Sequence, residues 1–364
     1  MTMAASLLPQ FWYVVAESHE VTADKVLARQ VLDEWLACYR DAQGQVVVAQ
    51  DRCIHRCARL SSGSVQEGKL TCRYHGWVYG NGGQVECIPV EVPGSANPGS
   101  ANPGSAGVPP ASVPTIKAKT YRVVEQEGYV YVNLQVGLHT PVKPRSLSEV
   151  GPANGRVLRG VVRLQNRFQN SLANCVENYI DVPHTAYVHH GIFRKPKGEA
   201  LRTTVTRDDG EVHIIYHGEK VNLGTFGWFL NPEGKEIVHT DHFYAPNVTS
   251  VHYHLPCGYR YSITSQSIPV SAMETLVYTD ISYDFGFWTA FAGWLVRRQA
   301  QKVILQDIDI LNEQGRSIEK YGERFYPTSA DAIHTLTSEI IDGLKDGVAP
   351  SKLSIERQEI TFCV

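Results

Sequence analysis

Short runs of aromatic and β-branched residues, separated by polar turn signals, dominate the first 135 positions. Trp12–Ala16 (WYVVA), Trp35–Arg40 (WLACYR), Gln45–Ala49 (QVVVA) and Tyr129–Leu134 (YVYVNL) each read as a strand. Asp41-Ala-Gln-Gly and Asn81-Gly-Gly mark turns between them. Many short strands with no helical period between them predict a small antiparallel barrel or sandwich. The texture changes near residue 140. Gln169–His190 mixes apolar and ionisable residues at helical spacing, and Leu201–Ser282 returns to strands, among them Val212–Tyr216 (VHIIY) and Thr275–Tyr283 (TLVYTDISY). Trp288–Gln314 has the best helical period in the chain. The pattern predicts two domains, an all-β one over 1–136 and an α+β one over 137–364, the second an antiparallel sheet with helices against it.

One stretch fits neither texture. Between Val92 and Pro114 the tetrad Pro-Gly-Ser-Ala occurs three times, from Pro93, Pro98 and Pro103, with almost no apolar content. A five-residue Pro/Gly/Ser unit cannot bury a face, so 92–114 reads as a disordered or polyproline-II-like insertion between strands.

Composition narrows the functional classes. At 364 residues, 43% hydrophobic and 20% charged, the chain can build a sizeable core. Its formal charge of −3 leaves no basic excess for phosphates, which argues against nucleic acid as the main partner. The first twenty residues lack a basic region followed by a long apolar one. The longest apolar stretch, Phe285–Val296, has 12 residues against the ~20 that span a bilayer. The expectation is a cytoplasmic protein without a transmembrane segment, whose eight cysteines are better suited to metal than to disulfides.

Two constellations carry the chemistry. The first is Cys53-Ile-His55, sixteen residues, then Cys72-Arg-Tyr-His75. Each half offers one thiolate and one imidazole. A Cys2His2 zinc site is one candidate, although zinc fingers pair Cys with Cys and His with His in their halves. Mixed halves suit a Rieske [2Fe–2S] centre, in which two Cys hold one iron and two His the other. The second is Glu177-Asn-Tyr-Ile-Asp181-Val-Pro-His184-Thr-Ala-Tyr-Val-His189-His190. Glu177, Asp181 and His184, spaced i, i+4, i+7, are expected on one face of a helix. Five residues turn an ideal helix by about 500°, so His184 and His189 share an ion only if the helix bends or ends between them. Pro183 is a source of such irregularity. Spacing alone does not choose His189 over His190.

At this point the chain resembles the Rieske non-haem iron oxygenases. CIHR…CRYHGWVYG is similar to that family's cluster signature, and WYVVA to its opening strand. The resemblance implies a [2Fe–2S] cluster held by Cys53, His55, Cys72 and His75. It also selects His184 and His189, in D-x2-H-x4-H, for a mononuclear Fe(II). A 2-His-1-carboxylate site needs one more carboxylate. Ile304, Asp307, Ile308 and Leu311 lie on one stripe of the last helix, which places Asp307 among apolar positions, with Asp309 and Glu313 as alternatives. LQDIDILNEQ resembles the family's late segment, whose aspartate is the third ligand, and this favours Asp307. Respiratory Rieske proteins carry a further cysteine in each loop. Tyr74 stands at that position in the second loop, so Cys57 lacks a local partner and is expected to be an ordinary free cysteine, like Cys38, Cys87, Cys175, Cys257 and Cys363.

By the same resemblance, Asp181 bridges His184 to His75 of a neighbouring subunit, Glu177 lies near the iron as an outer residue or proton donor, and the catalytic domain is of the helix-grip, START-like type. The implied protein is a homotrimeric α-only terminal oxygenase. It takes electrons from an external NAD(P)H-dependent reductase, with or without a ferredoxin, and uses O2 to hydroxylate or oxidatively demethylate a small hydrophobic molecule. No G-x-G-x-x-G after a strand and no P-loop is found in the sequence. The pocket is expected between Leu201 and Trp294. The alternatives are a Rieske electron carrier without oxygenase activity, or a desaturase on the same scaffold.

Overall fold

Antiparallel pairing between short, half-apolar strands organises the N-terminal part of the chain. The computed structural model describes residues 8–89, 116–135, 143–151, 158–189, 200–219, 231 and 234–363. The insertion predicted at 92–114 and His190 lie outside these residues. Two compact units part at Pro144/Arg145, eight residues beyond the boundary expected from the pattern.

In the unit Pro9–Pro144, strands β1 (Trp12–Glu17), β10 (Tyr129–Asn133) and β9 (Arg122–Gln126) form one sheet, and β2 (Leu27–Val31), β3 (Glu34–Arg40) and β4 (Val46–Gln50) a second. A third sheet runs β5 (Ser64–Gln66), β6 (Lys69–Thr71), β7 (Val78–Tyr79), β8 (Val85–Cys87). The strands read from the sequence are present with their ends shifted by a residue at most. Asp41, in the predicted turn, accepts the N–H groups of Gln43 and Gln45 and so closes the β3–β4 hairpin. Tyr39, Leu60, Leu70 and Tyr79 fill the core of this unit, and Cys53 and Cys72 are part of it.

The second unit is built on one antiparallel sheet, ordered β11 (Gly160–Phe168), β17 (Glu274–Asp284), β16 (Arg260–Ser271), β15 (Val248–His254), β14 (Val238–Tyr244), β13 (Glu211–His217), β12 (Ala200–Asp208), β18 (Glu356–Cys363). Its helices among the described residues are α1 (Leu147–Val150), α2 (Leu172–Asn178), α3 (His184–Tyr187), α4 (Thr289–Tyr321) and α5 (Ala332–Lys345). The α+β expectation holds. The final helix and strand, α5 and β18, were not anticipated; β18 is only partly buried and has little apolar content to show in a sequence window.

The helix α4 packs on β11 through Val296, Ala300, Ile304 and Leu311. Its register is fixed by Asn170, a fully buried amide whose Nδ2 donates to the Leu311 carbonyl and to Gln314 Oε1, both at 2.8 Å. Asn312 Oδ1 accepts the Gln169 N–H at 2.7 Å. At the same crossing, a Cβ on Gly315 would stand 1.9 Å from the Gln169 carbonyl oxygen. Glycine is therefore required for the close approach, against its usual cost of about 1 kcal/mol in a helix interior.

His252 is buried between the hydroxyls of Ser250 and Ser262, beside His242, which bonds His213 at 2.7 Å. Burial, with the neighbouring histidine charges, pulls both His242 and His252 down to about 4.

Two outcomes are expected. Gly315→Ala, which would stabilise an ordinary helix, should lower the melting temperature, and an unchanged or raised value would show that α4 is not held this closely. For His252, the folded-state pKa lies below the unfolded value near 6.5. The unfolded chain therefore binds the extra proton first, and stability should fall as pH drops from 6.5 towards 4. His252→Gln should flatten that slope in a melting series across this window.

Candidate metal centres

The first constellation sits on two loops of matching construction, one following β4 and one between β6 and β7. The Cys53 N–H donates to the Ala58 carbonyl (2.7 Å), as the Cys72 N–H does to Trp77 (2.8 Å). The Cys57 N–H returns to the Cys53 carbonyl (2.9 Å), as the Gly76 N–H does to Cys72 (3.0 Å). Cys57 and Gly76 hold the same place in their turns, both left-handed at φ 58° and 68°. Pro89 leaves no room for a Cβ on Gly76. The first loop is anchored by buried Asp51, which accepts from Arg59 Nε (2.7 Å) and from the backbone and hydroxyl of Ser61.

The side chains divide by polarity. Both sulfurs are buried, while His55 is half-buried and His75 exposed. The two imidazoles lie 4.6 Å apart, and His55 stacks on Trp77 at 4.7 Å. The Tyr79 hydroxyl meets Cys53 Sγ at 3.0 Å. Burial disfavours the Cys53 thiolate, but the Tyr79 hydroxyl and the His55 and Arg56 N–H groups outweigh it and bring its pKa below the ordinary range. Burial keeps Cys72 above it, despite N–H groups from Tyr74 and His75. Two inward sulfurs ringed by donors, with two outward imidazoles, fit a cluster whose S-ligated iron is shielded and whose N-ligated iron faces outward. Cys57 is exposed and free, with Arg52 Nε and Nη2 at 3.3 and 3.0 Å from its sulfur.

The second constellation gathers three segments. Ser171 caps α2, accepting the Asn174 N–H. That helix ends at Asn178, and a turn follows in which the Ile180 and Asp181 N–H groups both return to the Glu177 carbonyl. Glu177, Asp181 and His184 are thus not on one helical face as expected: Glu177 closes α2, Asp181 lies in the turn, and His184 opens α3. The bend that Pro183 suggested is a full break. The helix α3 ends at Tyr187, so His189 swings back towards His184, their rings 5.2 Å apart. Asp307, on the buried stripe of α4, completes the group, with donor atoms of His184, His189 and Asp307 all within 4.8 Å of one another. Asp309 is exposed on the far side.

Every member of this group has an outer partner. Asp181 Oδ2 stands 3.3 Å from His184 Nδ1, Gln306 Oε1 3.0 Å from His189 Nδ1, and Asn178 Nδ2 donates to Asp307 Oδ1 at 3.3 Å. This leaves each Nε2 turned to Asp307, at 3.6 Å from His184 and 3.0 Å from His189. Burial opposes a charged His184, but Asp181 and Asp307 outweigh it and raise its pKa. A buried and a half-buried imidazole with a carboxylate on one side of a site, their remote atoms fixed, are the donor set of a facial triad. Gln306 and Asn178 were not singled out in the sequence, since an amide between a metal-binding residue and an apolar stripe has no spacing signature. Glu177 is placed elsewhere, its Oε2 2.6 Å from His334 Nδ1 on α5.

The triad opens on a cavity of about 260 Å³. Ile180, Val182, Val251, Ile263, Ile281 and Phe285 give it an apolar wall, and Leu295, Val296, Ala300, Val303 and Ile304 of α4 close it. The lining therefore extends on both sides of the 201–294 range expected. Of the apolar run Phe285–Val296, three residues line the cavity, whereas Phe287, Phe291 and Trp294 are exposed.

Two family models match successive parts of the chain. Residues 11–117 match the Rieske [2Fe-2S] domain model, and residues 168–335 the vanillate O-demethylase oxygenase C-terminal domain model. The chain is 33% identical over 241 residues to "Protein TIC 55, chloroplastic" of Arabidopsis thaliana, covering 65% of this chain and 39% of that protein. It is 30% identical over 208 residues to the dicamba O-demethylase oxygenase component of Stenotrophomonas maltophilia, covering 56% and 54%. The alignments thus span from two-fifths to about half of these relatives. In fold it matches dicamba monooxygenase bound to dicamba with a TM-score of 0.74, at 22% identity and with 93% and 98% of the two chains covered. No helix among the described residues is long and apolar enough to cross a membrane. What the comparisons establish is the order on one polypeptide: a match to the Rieske [2Fe-2S] domain ahead of a match to the vanillate O-demethylase oxygenase C-terminal domain.

Proposed function

We propose that the chain is the terminal oxygenase component of a multicomponent system, hydroxylating or oxidatively demethylating a small, mainly apolar organic substrate with O2. One observation carries this reading: His184, His189 and Asp307 converge at an apolar cavity, on a chain that also carries paired Cys/His loops. An electron carrier needs no such cavity. In this reading Cys53, Cys72, His55 and His75 in the unit Pro9–Pro144 hold the [2Fe–2S] cluster, and His184, His189 and Asp307 hold the Fe(II). When bound, these groups supply single electrons and O2 activation.

The remaining work belongs to the side chains. Asp181, Gln306 and Asn178 aim the triad. The apolar lining excludes water and orients the substrate. Asp181, its side chain 33% exposed, uses Oδ2 for both the backbone N–H and the ring of His184 and keeps carboxylate capacity beyond them, which supports a bridge to His75 of the partner subunit in a homotrimer. Glu177 acts as a strut, tying α2 to α5 through His334 and so supporting the neighbouring Asn178. Electrons come from a separate NAD(P)H-dependent reductase, with or without a ferredoxin, in the cytoplasm.

Two measurements test this. The purified protein should hold about three irons per chain with acid-labile sulfide, and Asp307→Ala should lose the mononuclear iron while keeping the visible spectrum of the cluster. Iron near two per chain in the parent would instead identify an electron carrier. Asp181→Asn should retain both metals yet lose turnover by orders of magnitude, measured as O2 consumption with a surrogate reductase; normal turnover would remove the bridge.

A further inference from the structure

Besides the metal-binding triad, the cavity wall carries a second polar group, presented by the sheet. Register pairs His239 with Tyr216 and with Tyr253, and Asp241 with Ile214 and Val251. Alternation along β14 therefore points His239 and Asp241 to one face, the same face as Tyr216 and Val251. Asp241 and Glu219 line the cavity, and Asp241 is 1% exposed.

These side chains form a hydrogen-bonded chain. The His239 ring lies between the rings of Tyr216 and Tyr253, at 4.2 and 4.1 Å. Its Nδ1 is 2.6 Å from Glu219 Oε2 and its Nε2 2.9 Å from Asp241 Oδ1. The Tyr216 hydroxyl donates to Asp241 Oδ2 at 2.9 Å. Burial, then the adjoining carboxylate, pushes the Tyr216 phenol well above its ordinary range, so it stays a donor. Tyr216 also lies 3.4 Å from the Ile180 carbonyl, beside the turn that carries Asp181. Asp241 is thus held rigidly by two donors, while a carboxylate has about four acceptor sites. Its remaining capacity belongs to a wall otherwise made of Val251, Ile237 and Tyr253.

We propose that Asp241 is the specificity-determining acceptor of this cavity, and that the substrate is a compact, ring-sized apolar molecule bearing a hydroxyl or amine donor. This rests on the reading of the cavity as the oxygenase's substrate site. A donor placed against Asp241 gains a charge-assisted hydrogen bond in an apolar setting. A substrate carboxylate there meets like charge and loses hydration.

The test is calorimetric titration of the full chain, with both metals bound and without O2 or reductase, using four one-ring probes: p-cresol, benzylamine, toluene and benzoate. The parent should bind p-cresol and benzylamine about tenfold or more tighter than toluene, and benzoate more weakly than toluene. Asp241→Asn should reduce the donor preference about tenfold and lift the penalty on benzoate. Benzoate bound as tightly as p-cresol, failure of all four probes to bind, or an unchanged ranking in Asp241→Asn overturns the proposal. Should that variant not fold, the parent's ranking alone decides, since it needs no substitution. Iron content of the same samples reports separately on the oxygenase reading, so a missing mononuclear iron and a missing probe ranking are distinguishable failures.

Discussion

Asn170 is the constraint on which the second unit depends. It lies at the end of β11 and opens the path into α2, yet its amide reaches α4 at Leu311 and Gln314. One buried side chain therefore fixes the segment bearing His184 and His189 against the helix bearing Asp307. All four of its hydrogen-bonding positions are used, two on α4 and two on Ser171 and Asn174. A buried amide so completely satisfied specifies one arrangement, because any slip of α4 would leave several groups unpaired. Gly315 adds a steric limit at the same crossing.

The two centres solve opposite problems. The cluster loops are local: two turns of the same design, each closed by its own backbone, with sulfurs in the core and imidazoles outward. The triad is assembled from segments distant in sequence, so its precision comes from the packing beneath it. This contrast also explains what could be read in advance. The Cys/His loops are legible because four ligands and a required glycine fall within 24 residues. By its own chemistry Asp307 was legible as a carboxylate out of place on an apolar stripe, and the resemblance of LQDIDILNEQ to the family's late segment favoured it over Asp309 and Glu313. The break between α2 and α3 was half legible: Pro183 signals irregularity, but an i, i+4, i+7 pattern of charged residues mimics a continuous helix.

Other parts had no local signature. Gln306 and Asn178 matter through what they touch across the fold. The network of Glu219, His239, Asp241 and Tyr216 arises from strand register, which places residues from different strands side by side without leaving a motif in any one of them. Strand β18 is legible only as a partner for β12.

His189 and Asp307 are separated by more than a hundred positions in the sequence, and much of the antiparallel sheet lies between them. An ion shared by these residues closes that span as a cross-link would, removing conformational freedom from the unfolded chain. Its binding free energy is then in part folding free energy. An ion held there would on this account be a clasp for the whole second unit, and its occupancy would set how cooperatively β11 to α4 hold together.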